Sequence, residues 1–366
     1  MKNWFLFLFL ACGICHAQTS VLSPQAEISV LTLGPWHGQL YTAFGHSAFR
    51  VYDPVNEIND AYNYGVFDYD RPNFYLNFAR GQNIYRLAVM DYPNFEYTYV
   101  YYNRYIHEQK LNLSPAQKQR LFEFLEWNAR PENQEYLYDY FFDNCATKIP
   151  DVMVEVFGDT VHFDGSYITT DRSFRELTDL YLDKHPWGDL GIDIGLGRPT
   201  DRDATPYEHM FLPEYVESGF AHATIIKNGI TEPLVKQRSV IYESREEEVN
   251  NTVITPIVVF TAVFVVLTVI SFWDIRRRKL SSIVDVILLS ITGMVGIVLL
   301  LLWVRTHHHA SAKNFNLLWA LPTHVAVVFF IFRYPVWLQR YFYFTAIICL
   351  VLLLSWPVLP QKLHFS

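Results

Sequence analysis

Between residues 21 and 106, apolar and polar side chains alternate in short runs rich in Val, Phe and Tyr, and turn residues separate the runs. Alternation of this kind predicts half-buried strands, because successive side chains of an extended chain point to opposite faces. The first strand is expected over 26–33, closed by Gly34-Pro35, the second over 40–52 before the Asp53-Pro54 turn, and the third over 61–67. Further strand-like runs lie at 85–89 and 97–102, and together they predict an antiparallel sheet dense in aromatic residues.

At Ser114-Pro115 the period changes. Ser suits a helix cap and Pro the first helical position, and Leu121, Phe124, Leu125 and Asn128 follow at helical spacing until Pro131. A second helix is predicted from Asp143 or Asn144 through Val152, Val154 and Phe157 to Gly158, with Pro150 early enough to be tolerated. Residues 159–240 are mixed; Gly188, Gly191, Gly195, Gly197 and Pro199 mark a long loop that could cover or flank a site. After a charged joint at 243–250 come four apolar runs, about 252–273, 282–304, 316–332 and 341–358, read as membrane spans. The chain therefore reads as α+β: an antiparallel sheet with helices, followed by an α-helical four-span transmembrane bundle.

Charge divides along the same line. Residues 18–250 carry 19 basic and 35 acidic side chains, a net of −16, whereas 251–366 carry 9 and 2, a net of +7. An acidic soluble half argues against nucleic acid and against a basic face pressed onto anionic lipid. Arg276, Arg277, Arg278 and Lys279 fill one loop between apolar runs, and Arg333 and Arg340 another; both belong inside by the positive-inside rule. The first run then leads inward, leaving the soluble half in the periplasm or outside the cell. Residues 1–17 agree, with Lys2, an apolar stretch over 4–11 and the small-residue site Cys15-His16-Ala17 reading as a secretory signal. The expected domains are 1–17 as signal, 18–250 as soluble domain and 251–366 as transmembrane domain.

That compartment makes one residue conspicuous. Cys12 and Cys15 lie in the signal and Cys349 in the last apolar run, so Cys145 is the lone thiol of the soluble half. In an oxidising compartment structural cysteines come in pairs. Cys145 is either a small buried hydrophobe or a nucleophile that needs a base from elsewhere in the fold. At a helix start, unpaired backbone N–H groups lower a thiol pKa and can donate to a developing oxyanion. His46, among the small neighbours of Gly45-His46-Ser47-Ala48, is the preferred base; His37, His107, His162, His185, His209 and His222 compete. No metal is expected, because the adjacent His307, His308 and His309 cannot easily converge on one ion, even with His324.

A strand carrying Gly45-His46, followed later by Asn144-Cys145 at a helix start, resembles the permuted papain-like folds, in which the base precedes the nucleophile. More closely, the chain resembles the Lnb family of lipoprotein N-acyltransferases from Bacteroidota. Gly45-His46-Ser47, Tyr62-Asn63-Tyr64-Gly65, the stretch Tyr140-Phe141-Phe142-Asp143-Asn144-Cys145-Ala146-Thr147 and the segment 314–322 carry that likeness. It implies Cys145 as nucleophile, His46 as base and Asn63 as the group orienting the imidazole. Asn144 reads as a substrate-binding residue or a helix cap. Asn314, Asn316 and Trp319 read as a polar lip for substrate or as interfacial anchors.

The implied reaction moves a fatty acyl chain from a membrane phospholipid, through a thioester on Cys145, to the α-amino group of a bacterial lipoprotein's diacylglyceryl cysteine. It needs no cofactor and places the chain in the bacterial inner membrane, in contact with the lipid bilayer. Two other classes remain open on the residues: a membrane-tethered cysteine peptidase or amidase acting on cell-wall peptide, and a non-catalytic membrane-anchored assembly factor.

Overall fold

The computed structural model describes residues 20–245 and 254–365. The expected signal at 1–17 and the junction at 250/251 lie outside the described residues. Ten strands are present among them: β1 Glu27–Leu33, β2 His46–Asp53, β3 Ile58–Val66, β4 Ile84–Asp91, β5 Ile106–Leu111, β6 Glu135–Leu137, β7 Val161–His162, β8 Thr224–Lys227, β9 Ile230–Pro233 and β10 Val235–Tyr242. Seven form one antiparallel sheet in the order β10-β5-β1-β2-β3-β4-β6, and β7-β8-β9 form a small second sheet. The long central strands β1 and β2 run in register from Glu27 opposite Tyr52 to Leu33 opposite His46.

Alternation along these strands builds two cores. One face, with Ile28, Val30, Phe49, Val51, Tyr62 and Tyr64, packs against helices α3 Pro115–Asn128 and α4 Lys148–Phe157. The other, with Leu31, Leu33, Ala48 and Ala61, packs against Tyr92, Phe95 and Tyr99 of α2 Tyr92–Tyr101. A short helix, α1 Phe74–Arg80, links β3 to β4. The expected cap of α3 is a full capping box: the Ser114 side chain accepts from the Gln117 backbone N–H, and the Gln117 side chain reaches back to the Ser114 backbone.

Several expectations are corrected here. The run at 97–102 is helical, not a strand: Asp91 caps α2 by accepting from the Asn94 backbone N–H and Pro93 lies in its first turn, and these signals outweigh the β preference of Tyr and Val. The glycine-marked loop is mostly a helix, α6 Pro186–Gly195, which follows α5 Phe174–Asp179 and starts with Pro186 at its first position. Two more helices, α7 Pro206–His209 and α8 Pro213–His222, complete the soluble domain. Cys145 is not in the first turn of a helix as predicted: α4 begins at Lys148, three residues after it.

Among the described residues, three helices are long and apolar enough to cross a membrane: α9 Pro256–Arg277, α10 Ser282–Arg305 and α12 Val336–Ser355, with its apolar stretch continuing to Val358. The third predicted run is broken into a short 3-10 turn, Phe315–Leu318, and α11 Thr323–Val328. Pro322 causes the break by lacking an N–H and by disfavouring helical backbone at Leu321. This segment packs tightly on α10, where a Cβ added to Gly296 would lie 1.9 Å from the Ala320 carbonyl oxygen.

The two halves are joined by hydrogen bonds. Asn314 Nδ2 donates to the carbonyls of Ile194 (2.7 Å) and Gly195 (3.2 Å), and Gln361 Nε2 donates to that of Leu196 (3.0 Å). The backbone N–H groups of Gly197 and His307 donate across the joint to the carbonyls of Ala310 and Arg80, both at 2.8 Å. These bonds satisfy carbonyls that a helix end leaves without partners.

Candidate active site

His46 opens β2 and Asn63 lies near the end of the neighbouring β3. The β2–β3 register pairs Phe49 with Tyr62, so His46 and Asn63 fall on the same sheet face as diagonal neighbours. Their side chains meet at 2.6 Å between His46 Nε2 and Asn63 Oδ1. A carbonyl oxygen only accepts, so Nε2 carries the proton and the neutral ring keeps Nδ1 as its basic nitrogen. Tyr99 of α2 stacks on the imidazole, 14° from parallel with centroids 6.3 Å apart.

Cys145 reaches the same place from the other side of the chain. Asn144 builds the turn that presents it: Oδ1 accepts from the backbone N–H groups of Ala146 (2.7 Å) and Thr147 (2.9 Å), and Nδ2 donates to the carbonyls of Tyr140 (2.7 Å) and Phe211 (2.8 Å). Gly65 makes room for this turn. Its φ is +86°, and an added Cβ would sit 3.1 Å from Cys145 Cβ, so only glycine lets the strand end and the thiol turn approach this closely.

Cys145, His46 and Asn63 line one cavity of ≈ 230 Å³ with aromatic walls that include Tyr41, Phe67, Tyr99 and Tyr140. Thiol and imidazole are partly exposed to that cavity but enclosed by protein beyond it. Burial pushes the thiol up to about 11, against the backbone N–H groups of Ser47 and Cys145 and the Arg104 guanidinium, which pull it down. Burial likewise holds the imidazole down at about 4; the Asn63 bond opposes this and Arg104 reinforces it. The resting pair is thus neutral thiol and neutral imidazole, and the base acts when the sulfur attacks.

Sequence reasoning missed Arg104. It is only 8% exposed, lines the cavity, donates through Nε to the Gly34 carbonyl at 2.6 Å and lies over the Tyr99 ring. No carboxylate is paired with it among the described residues. Its field therefore falls on the cavity, where it favours the thiolate. A cation inside the aromatic stretch Tyr101-Tyr102-Asn103-Arg104-Tyr105 was the available signal.

Two family models match the chain: the Lnb N-terminal periplasmic domain over residues 16–172 and the Lnb transmembrane domain over residues 247–366. The chain belongs to the Lnb family. Neither the curated proteins nor the solved structures returned a match. All four of His46, Asn63, Arg104 and Cys145 fall within the Lnb periplasmic match, and segment 306–316, which closes the joint, falls within the Lnb transmembrane match.

The expected substrate-binding residues of this Lnb chain are placed differently. Asn144 is 4% exposed and lines the thiol cavity, and its amide is fully used in shaping the thiol turn, while the N-cap of α4 is Thr147. Asn314 and Asn316 are buried in the joint: Asn316 Nδ2 donates to the Ile194 carbonyl (3.2 Å), and Asn314 Oδ1 accepts from the Asn316 backbone N–H (2.9 Å). Trp319 Nε1 donates to Asn316 Oδ1 at 2.9 Å. Asn314 and Asn316 tie the halves together with amide groups already paired inside the protein, and Trp319 braces Asn316 from within the membrane domain. Two of the adjacent histidines have separate partners: His308 Nε2 donates to the Phe78 carbonyl (3.0 Å), whereas His307 Nε2 faces Gln82.

The low imidazole value gives a pH prediction. Alkylation of Cys145 by a neutral electrophile, with His46 taking the proton, is expected to have its acid limb near pH 4, well below the ordinary histidine value of 6.5. The unfolded chain binds the proton first on acidification, so His46 also makes stability rise from pH 4 to 6.5 and level off above. A pH–rate profile for alkylation checks this; a limb at 6.5 would mean a solvated ring.

Proposed function

We propose that this chain is a lipoprotein N-acyltransferase whose periplasmic domain, about 18–250, has the permuted papain-like order of base before nucleophile. The observation that carries the reading is one cavity lined by both the Cys145 thiol and an imidazole whose Nε2 is fixed by an amide. Segment 1–17 acts as the secretory signal. The membrane domain, about 251–366, crosses the inner membrane four times, the broken segment supplying the third crossing. This is supported by Asn314 and Gln361 meeting at one end, while α12 runs about 30 Å away from it.

In the first half-reaction Cys145 Sγ attacks an ester carbonyl of a membrane phospholipid as His46 Nδ1 takes the thiol proton. The backbone N–H of Cys145 donates to the tetrahedral oxyanion. Collapse breaks the ester C–O bond, and the lysophospholipid alkoxide leaves with the proton from His46. In the second, the α-amino group of the lipoprotein's diacylglyceryl cysteine attacks the thioester, forming the amide C–N bond. Its proton passes to His46 and on to the departing Cys145 thiolate, restoring the neutral pair. Thiolate leaves far more readily than amine, so the transfer runs toward amide.

The test is the intact mass of the full-length protein after incubation with phospholipid. A fatty-acyl adduct is expected that is labile to hydroxylamine, absent from Cys145→Ala and lost on adding a diacylated lipopeptide. No adduct from any phospholipid, with the alanine variant still supporting lipoprotein N-acylation in cells, would overturn the reading in favour of a non-catalytic factor.

A further inference from the structure

A second cavity, ≈ 390 Å³, adjoins the first, and the two share the walls Tyr41, Tyr85, Tyr138 and Tyr140. The Tyr85 and Tyr138 rings stack with centroids 4.1 Å apart, forming the edge between the two spaces. Phe78, Phe141, Ile192 and Leu196 supply apolar wall from the soluble domain, and Ala310 supplies it from the membrane domain. The size falls within the range of about 300–1,000 Å³ typical of ligand sites.

Three polar side chains in this wall are already engaged. Asp139 Oδ1 accepts from the backbone N–H groups of Phe141 (2.9 Å) and Phe142 (3.0 Å), Thr178 Oγ1 donates to the Phe174 carbonyl (2.8 Å), and His308 Nε2 is bonded to Phe78. What the chamber presents to a guest is mostly hydrocarbon and aromatic surface. Its far side is made by residues 307–311, directly after α10 ends at Arg305, so the chamber lies between the thiol cavity and the membrane domain.

We infer that this chamber holds the fatty acyl chain of the donor ester, with the carbonyl in the thiol cavity and the chain running past the Tyr85–Tyr138 edge toward the membrane domain. The inference rests on the proposed acyl transfer and adds where the chain sits and what limits its length. An acyl group on Cys145 must place its tail in apolar space next to the sulfur, and this chamber is mostly apolar, shares four walls with the thiol cavity and reaches the membrane domain.

Gly195, the last residue of α6, allows the test. It lines the chamber, its backbone is outside the left-handed region, and a Cβ added there meets nothing within 4 Å. Gly195→Phe therefore fills chamber space without backbone strain. Each buried methylene is worth about a factor of four in binding, so expelling two or three changes selection by about tenfold or more.

The experiment measures acyl-enzyme formation on the full-length protein in detergent, without acceptor, from phosphatidylglycerols bearing decanoyl or palmitoyl chains. The decanoyl-to-palmitoyl rate ratio is expected to rise about tenfold or more in Gly195→Phe and also in Ala310→Trp, which narrows the chamber from the membrane side. An unchanged ratio in both variants, or a shift seen only when acceptor lipopeptide discharges the enzyme, overturns the assignment and gives the chamber to the acceptor's chains or to no chain. If the unmodified protein forms no adduct with either donor, it is the acyl-transfer reading itself that fails.

Discussion

Replacing His46 with alanine is expected to slow formation of the Cys145 acyl-enzyme about a thousandfold, because the thiol then has to lose its proton without a positioned base. The effect is large here because burial keeps the thiol up at about 11, leaving almost no thiolate at neutral pH. An enzyme whose cysteine ionised by itself would feel the loss less. Asn63→Ala keeps the base but frees its tautomer and tilt, so its rate is expected to fall between the two. Single-turnover acylation followed by mass spectrometry gives both numbers. His46→Ala acylating at the unmodified rate would remove His46 from the mechanism. The same variant should also lose the stability slope between pH 4 and 6.5, since the group whose protonation is penalised in the fold is gone.

The largest expected effect on stability lies outside the cavity. Arg175 is 1% exposed; Nη1 donates to Asp193 Oδ1 at 2.6 Å, and Nε and Nη2 reach Asp201 at 2.9 and 3.1 Å. Nη2 also donates to the Leu196 carbonyl at 3.1 Å. Arg175→Ala leaves two mostly buried carboxylates facing one another without a cation, which costs about 3–5 kcal/mol. Arg175→Lys restores charge but not the fork and is expected to recover only part. Unfolding of the full-length protein in detergent measures this; a loss below about 1 kcal/mol would show that water reaches the carboxylates when the guanidinium is removed.

Sequence pattern served best where the determinants are local. The alternation at 26–33 became β1, the run at 85–89 lies within β4, and Ser114-Pro115 starts α3 with its own cap. It failed where a distant partner decides. β5 reads as polar, yet Glu108 and Gln109 are buried because Arg50 pairs with the first at 3.1 Å and the Glu217 carbonyl accepts from the second at 2.9 Å. Helix α6 looked like a loop because three glycines weaken it, and part of what ends it properly comes from residues more than a hundred positions later.

The candidate site shows the same division. His46, Asn63 and Cys145 were readable as residue types, and the strand order placed His46 and Asn63 side by side. Arg104 was not singled out, since its aromatic neighbours along the chain were the one local signal and its contacts with Gly34 and Tyr99 come from the fold. Asn314 and Asn316 stood out correctly as unusual, but their partners, the carbonyls ending α6, could be known only from the fold.

The joint also bears on how the molecule comes apart. Freeing the last turn of α6 means breaking bonds to Asn314, Asn316 and Gln361, so a fluctuation that starts in the soluble half must loosen the membrane half as well. Amide hydrogens at the end of α6 should then exchange with solvent in step with those of residues 307–316, and more slowly than a three-glycine helix would alone. The lipid-embedded half thus acts as a reservoir of rigidity for one wall of the chamber, and removing its side-chain ties at Asn314 and Gln361 would loosen that wall before it touched the sheet.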